Sequence, residues 1–180
     1  MQFLGLFQKD TIKIEVCKTI TNAFLRSKTE YTDDILVNNS MMQICKTMHD
    51  YVNALTLEDE KRDISIMICK FINRFEISDK DQIEQYLNFY SDARASFSNL
   101  DDVIALLVHR VNKLAIETLR IVNYNHTHKT ASFVRACVAF SFITIPSLNN
   151  VFLKLQLYLA SAQVSALNQC LSQGLLLIIF

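Results

Sequence analysis

Apolar residues recur along this chain at spacings of three and four, the period of a helix buried along one face. Ile12, Val16, Ile20 and Phe24 predict a first helix with Asp10 as its N-cap. After a polar stretch at 27–31, Asp33 and Asp34 favour a second start, with Leu36, Met41, Ile44, Met48, Val52 and Leu55 on one side. The charged stretch 57–63 reads as the first turn of a third helix that carries Ile64, Met67, Phe71 and Phe75. Ser78 and Asp81 suggest a cap for a fourth, with Ile83, Tyr86, Leu87 and Tyr90 inward. Asn99, Asp101 and Asp102 open a fifth, whose stripe of Val103, Leu106, Leu107, Val111, Leu114 and Leu119 is broken by Arg110. The segment NYNHTHKT at 123–130 has neither helical nor strand period and predicts a loop. Residues 131–145 are apolar almost all round, which predicts a sixth helix enclosed on several sides and stopped by Pro146. Ser147 then caps a seventh with Val151, Leu155, Tyr158 and Leu159 on its inner face, and 163–173 forms an eighth.

Eight helices make four hairpins, at about 45 residues each over 180 residues. The expected fold is therefore all-α, a HEAT-like α-solenoid segment occupying 1–180 as one domain. A compact helical bundle is the rival architecture, because no consensus recurs strictly at that period. The scarcity of backbone punctuation agrees: two glycines and one proline leave almost no material for hairpin turns or phosphate-binding loops. An all-round apolar helix so near the end of the sequence calls for a further covering layer, so the sequence is expected to be a fragment of a longer solenoid.

The net charge of zero hides an asymmetry, since Glu117 is the last carboxylate and only Arg120, Lys129, Arg135 and Lys154 carry charge after it. Four scattered cations do not make the dense stripe that displaces counterions from nucleic acid, so no nucleic-acid partner is expected. The five cysteines are widely spaced among apolar residues and read as reduced core thiols of a cytoplasmic protein. The longest apolar run, 136–148, has 13 residues against the roughly 20 that cross a bilayer, and the atypical apolar terminus 174–180 is shorter still. A transmembrane chain is not expected, and a peripheral role stays open.

Little in the sequence suggests chemistry. His126 and His128 lie two apart in the polar loop, but two imidazoles without a third ligand do not make a metal site, so no metal and no cofactor are expected. A cysteine nucleophile needs an electropositive surround and a base, which none of the five has locally, so no enzyme is expected. Arg135 is the exception to the blandness, because a guanidinium inside FVRACVAF must reach solvent, a carboxylate or a helix end. Glu117 is its expected partner across the 123–130 loop. Phe152 and Tyr158 join the two as candidate structural or partner-contact residues.

The run TASFVRACVAFSFITIPSL at 130–148 resembles a hallmark of the vacuolar protein sorting 35-like family, the large solenoid subunit of Retriever. ALTLED at 54–59, VNKLAIET at 111–118 and LNQCLSQ at 167–173 support it, so that the likeness runs from about residue 41 to 173. The resemblance implies a non-catalytic scaffold segment in endosome-to-plasma-membrane recycling of cargo. It implies as partners a phosphoesterase-fold subunit, an arrestin-like subunit, a sorting nexin adaptor and a coiled-coil and COMMD complex, all cytoplasmic and peripheral to the endosome. It departs after Gln173, where GLLLIIF replaces the polar helical continuation of the family and suggests truncation or an alternative end. A free-standing helical adaptor that binds peptides is the alternative function.

Overall fold

The computed structural model describes residues 9–27, 34–52, 57–75 and 83–170. Among them all regular structure is helical and there is no β-strand, which bears out the all-α reading. The chain divides into two compact units, 1–80 and 81–180.

The first unit contains α1 (Asp10–Arg26), α2 (Ile35–Tyr51) and α3 (Glu58–Arg74), each in contact with the other two. Asp34 starts α2 by accepting hydrogen bonds from the Leu36 and Val37 amides at 2.8 and 3.4 Å, whereas Asp10 lies inside the first turn of α1 rather than capping it. Met41, Met42, Ile44, Cys45 and Met48 of α2 pack inward with Ile64, Ile68, Phe71 and Ile72 of α3. The buried side of α1 is Ile14, Cys17 and Thr21, so Ile12 stands outside the core, 48% exposed, while Val16, Ile20 and Phe24 of the predicted stripe lie half-buried at its margin. Thr21 and Cys17 are small, and hydropathy alone does not reveal that the closest approach to α2 needs small side chains.

Arg74 locks this unit. Its guanidinium donates to the Phe24 and Leu25 carbonyls, both at 2.6 Å, and to Ser27, while lying 5.5 Å above the Phe24 ring, which itself meets Phe71 edge-on. The last carbonyls of α1, which have no partner within their own helix, are thus satisfied by a cation from the end of α3. Lys18 and Glu60, 2.7 Å apart, tie the same two helices nearer the start of α3. The expected cap at Ser78 and Asp81 and the inward Leu55 fall outside the described residues.

The second unit contains α4 (Ile83–Ser96), α5 (Asp101–Ile121), α6 (His128–Thr144), a 3-10 turn at Ile145–Ser147 and α7 (Val151–Leu167). Helix α5 is central and touches α4, α6 and α7, which explains why eleven of its 21 residues are buried. It ends on two left-handed residues, Asn123 (φ 48°) and Tyr124 (φ 64°), whose amides bond back to the Arg120 and Leu119 carbonyls. Thr127 and Thr130 then start α6 by exchanging side-chain and backbone hydrogen bonds. Pro146 stops it, as predicted, within the 3-10 turn.

Three side-chain ties fix the ends of the helices against one another. Asp101 accepts from the backbone amide and side chain of Asn149, at 2.9 and 3.1 Å. Arg94 donates to the Ile143 carbonyl at 3.2 Å, and His126 meets Asn168 at 3.0 Å. Phe97, Leu100, Ile145 and Leu148, all from turns, are buried between the helices.

Two expectations for the end of the chain change. Asn150, not Ser147, caps α7 by accepting from the Leu153 amide at 3.1 Å, because the residues around Ser147 are still in the 3-10 turn. The predicted eighth helix has no separate existence among the described residues: 163–167 is the last part of α7, and Gln169 (φ 59°) closes it. The Gln169 amide bonds to Ala166 and the Cys170 amide to Ser165. Helix α6 is likewise not enclosed on every side, since Arg135, Ala136, Ala139 and Ile143 lie on an exposed face.

Candidate functional site

The four candidate residues are not brought together. Arg135 is exposed on the outer face of α6 and makes no ion pair among the described residues, while Glu117, also exposed, pairs along its own helix with Lys113 at 3.4 Å. The expected Arg135–Glu117 bridge is absent, since Glu117 is engaged by Lys113 on its own helix. The charge of Glu117 is felt at the Tyr90 hydroxyl and that of Arg135 at the Cys170 thiol. Phe152 is 81% exposed and Tyr158 half-buried.

Phe152 belongs to the most distinctive surface of the unit. Val151, Phe152, Leu155 and Leu159 lie within about 100° of one another around α7, given 100° per residue, and are 72, 81, 58 and 53% exposed. The opposite side of α7, Leu157, Ser161 and Val164, is buried, and so are Ala162 and Ser165 toward its end. The predicted inner face of this helix is therefore its outer face, Tyr158 alone standing at the margin. Beside Leu157 and Val164 the buried residues are small, while Val151, Phe152, Leu155 and Leu159 are left outside.

What holds α7 in this orientation is a buried polar network that the apolar pattern did not reveal. Asn112 of α5 donates to Ser161 of α7 at 2.9 Å and accepts from Ser141 of α6 at 3.3 Å. A rotation of α7 that buried its leucines would leave Asn112 without that partner, at a cost of about 1–3 kcal/mol. The signal was present in the sequence: Asn112 interrupts the run 103–119 on the same side as Val108 and Ala115.

A second surface feature is a cleft of about 470 Å³ between α4 and α6, lined by Glu84, Leu87, Asn88, His128, Lys129 and Phe133 among others. Lys129 and Glu84 face each other across it at 3.4 Å, both largely exposed. Of the two histidines, only His128 borders this cleft; His126 is engaged by Thr130 and Asn168. Among the described residues no three His, Cys, Asp or Glu side chains are grouped to hold a metal ion. None of the five cysteines is in a disulfide. Burial drives the Cys137 thiol up to about 12 and raises Cys45 further, against a small opposing effect of a backbone hydrogen bond at Cys137. Such thiols stay protonated and are poor nucleophiles.

The stretch His128–Ser147 is long and apolar enough, by length and composition, to cross a membrane. Its contacts with α4, α5 and α7 and the break at Ile145 are those of a core helix.

Helices packed in this way, with an apolar outer stripe on α7, define an all-α helical segment. The chain belongs to the VPS35L C-terminal domain family, which it matches over residues 1–178. The match includes the first forty residues, beyond the segments that carried the resemblance, and runs five residues past Gln173. Over 174 residues, 97% of this chain, it is 53% identical to a Danio rerio protein named VPS35 endosomal protein-sorting factor-like. The same stretch is 51% identical to the Homo sapiens protein of that name, and 38% to one of similar name from Dictyostelium discoideum. The chain spans 18, 18 and 17% of the length of these three relatives.

Proposed function

We propose that this chain is a non-catalytic scaffold segment acting in endosomal protein sorting, within a Retriever-type complex that returns cargo from endosomes to the plasma membrane. The observation that carries the reading is a family match over nearly the whole chain to proteins named as endosomal sorting factors. The architecture supports it, because helices that meet through side-chain ties and leave an apolar stripe outward suit the holding of other subunits. The chain would be cytoplasmic and peripheral to the endosome. Its partners would be the phosphoesterase-fold and arrestin-like subunits, with the sorting nexin adaptor and the coiled-coil and COMMD complex reached through the longer protein.

The test is affinity purification from cells of a full-length relative whose matching segment is replaced by 1–180. Recovery of the phosphoesterase-fold subunit together with restored surface recycling of an integral membrane cargo is the expected result. Normal recycling by a chain lacking the segment would overturn the assignment. The other reading, a free-standing peptide adaptor, draws on the cleft between α4 and α6. It requires saturable binding of short peptides that is lost on Phe133→Ala or Leu87→Ala.

A further inference from the structure

The outer face of α7 runs from Val151 and Phe152 through Leu155 and Leu159 to Gln163 and Ala166, all exposed and none charged. We propose that this face is the contact between two copies of the chain, in which α7 packs antiparallel on its counterpart about a two-fold axis at Leu159. This goes beyond the sorting role and stands without it.

The order of side-chain sizes along the face points to a second copy rather than a foreign partner. At about 100° and 1.5 Å per residue, Leu159 lies in the middle of the face, with Phe152 and Ala166 roughly 20° to either side and about 10 Å before and after it. Leu155 and Gln163 stand roughly 40° to either side and about 6 Å before and after. A two-fold axis at Leu159 therefore sets this residue against its own copy. It also brings Phe152 and Leu155 of one chain to the turn that carries Gln163 and Ala166 of the other. The bulky pair lies in the first half of the face and the small Ala166 with the unbranched Gln163 in the second, so each half fills the space the other leaves. A parallel pairing would set Phe152 against Phe152 and Ala166 against Ala166, crowding one end and leaving the other open.

Charge agrees with this pairing. The one charged residue of α7 is Lys154, half-buried and roughly 140° from the centre of the face, so no like charges meet across the axis. Antiparallel packing also sets the positive N-terminal end of each helix dipole beside the negative C-terminal end of the other. The face is held ready, because Ser161 on the opposite side of α7 is fixed by Asn112. The area suffices for a weak dimer. Val151, Phe152, Leu155, Leu159 and Leu167, the last at the edge of the face, are each more than half exposed. With their neighbours they offer on the order of 500 Å² per copy, or about 1,000 Å² in all, the lower limit of a specific interface.

Sedimentation equilibrium of the 180-residue chain under reducing conditions, from about 1 to about 300 µM, tests this, the range being wide because a contact of this size is weak. The expected result is a mass that rises from monomer to dimer and no further, since a two-fold contact closes on itself. Leu159→Glu, which sets two carboxylates at the axis, should raise the concentration of half-dissociation at least tenfold while far-UV helicity is retained. Should helicity be lost, Phe152→Glu, at the most exposed position of the face, is read in its place. Disulfide trapping with copper phenanthroline reads the orientation. Leu159→Cys chains should link to one another above the background of the parent chain, and Gln163→Cys chains, whose substituted positions stand about 12 Å apart along the axis, should not. A monomer at every concentration would overturn the proposal and leave the face to another part of the chain or to a different protein. Association unchanged by the glutamate would do the same, by placing the contact elsewhere. So would linking of Leu159→Cys no greater than that of Gln163→Cys, which would remove the two-fold axis from Leu159.

Discussion

Arg74 and Arg135 show how little a guanidinium's place in the sequence says about its work. Arg135 interrupts the most apolar segment, yet it points outward and pairs with nothing among the described residues, so Arg135→Ala is expected to change stability by less than about 0.5 kcal/mol. Arg74 sits unremarkably at the end of a helix and closes another one. Arg74→Ala should cost about 2 kcal/mol in urea unfolding, and Arg74→Lys should recover less than half, since a point charge cannot serve two carbonyls with one planar fork. The buried thiols add a pH dependence whose sign follows from burial. Their protonated state is favoured in the folded chain, so stability is full below the unfolded thiol value of about 8.5 and falls as pH rises toward the folded value of about 12 at Cys137. Between pH 7 and 10 the contribution of Cys137 should fall by about 2 kcal/mol, read under reducing conditions as the difference between the parent chain and Cys137→Ala.

At the scale of elements, which segments are helices was legible and which way some of them face was not. The cap at Asp34 and the breaker at Pro146, which act through local chemistry, stand where the sequence put them, while the predicted 123–130 loop ends at Thr127, because the Thr127–Thr130 capping box starts α6 at His128. The faces of α1 and α7 were misread for a common reason: beside Ile14 in one and Leu157 and Val164 in the other, the buried positions are small, Cys17 and Thr21 in α1 and Ser161, Ala162 and Ser165 in α7. Periodicity ranks positions by apolarity and so chooses the larger side chains, whereas close helix approach selects the smaller. The Arg135–Glu117 bridge failed because Glu117 pairs along its own helix with Lys113, a partner four residues away that the sequence reading passed over. Asn112 is the residue that decides the matter for α7. Asn112→Ala should destabilise by about 2–3 kcal/mol, and Ser161→Ala by about 1 kcal/mol. A double-mutant cycle should show that the two costs do not add.

For the whole molecule, the helical class and the family were both legible from 180 residues, because four short motifs survive where faces and contacts leave no periodic trace. The inverted α7 has a consequence for how this chain tolerates change over generations. Selection there should track volume and not oiliness: a serine on the inner seam is the guarded position, and a leucine on the far side is free to drift. Ser165→Leu is expected to cost at least about 2 kcal/mol through overpacking, while Leu167→Ser, at a position 59% exposed, should cost under about 0.5 kcal/mol. A saturation library sorted for soluble, folded chain would then hold Ser161 and Ser165 to small residues beside the buried Leu157 and Val164, while tolerating polar replacements along the exposed leucines that a hydropathy plot would pick out.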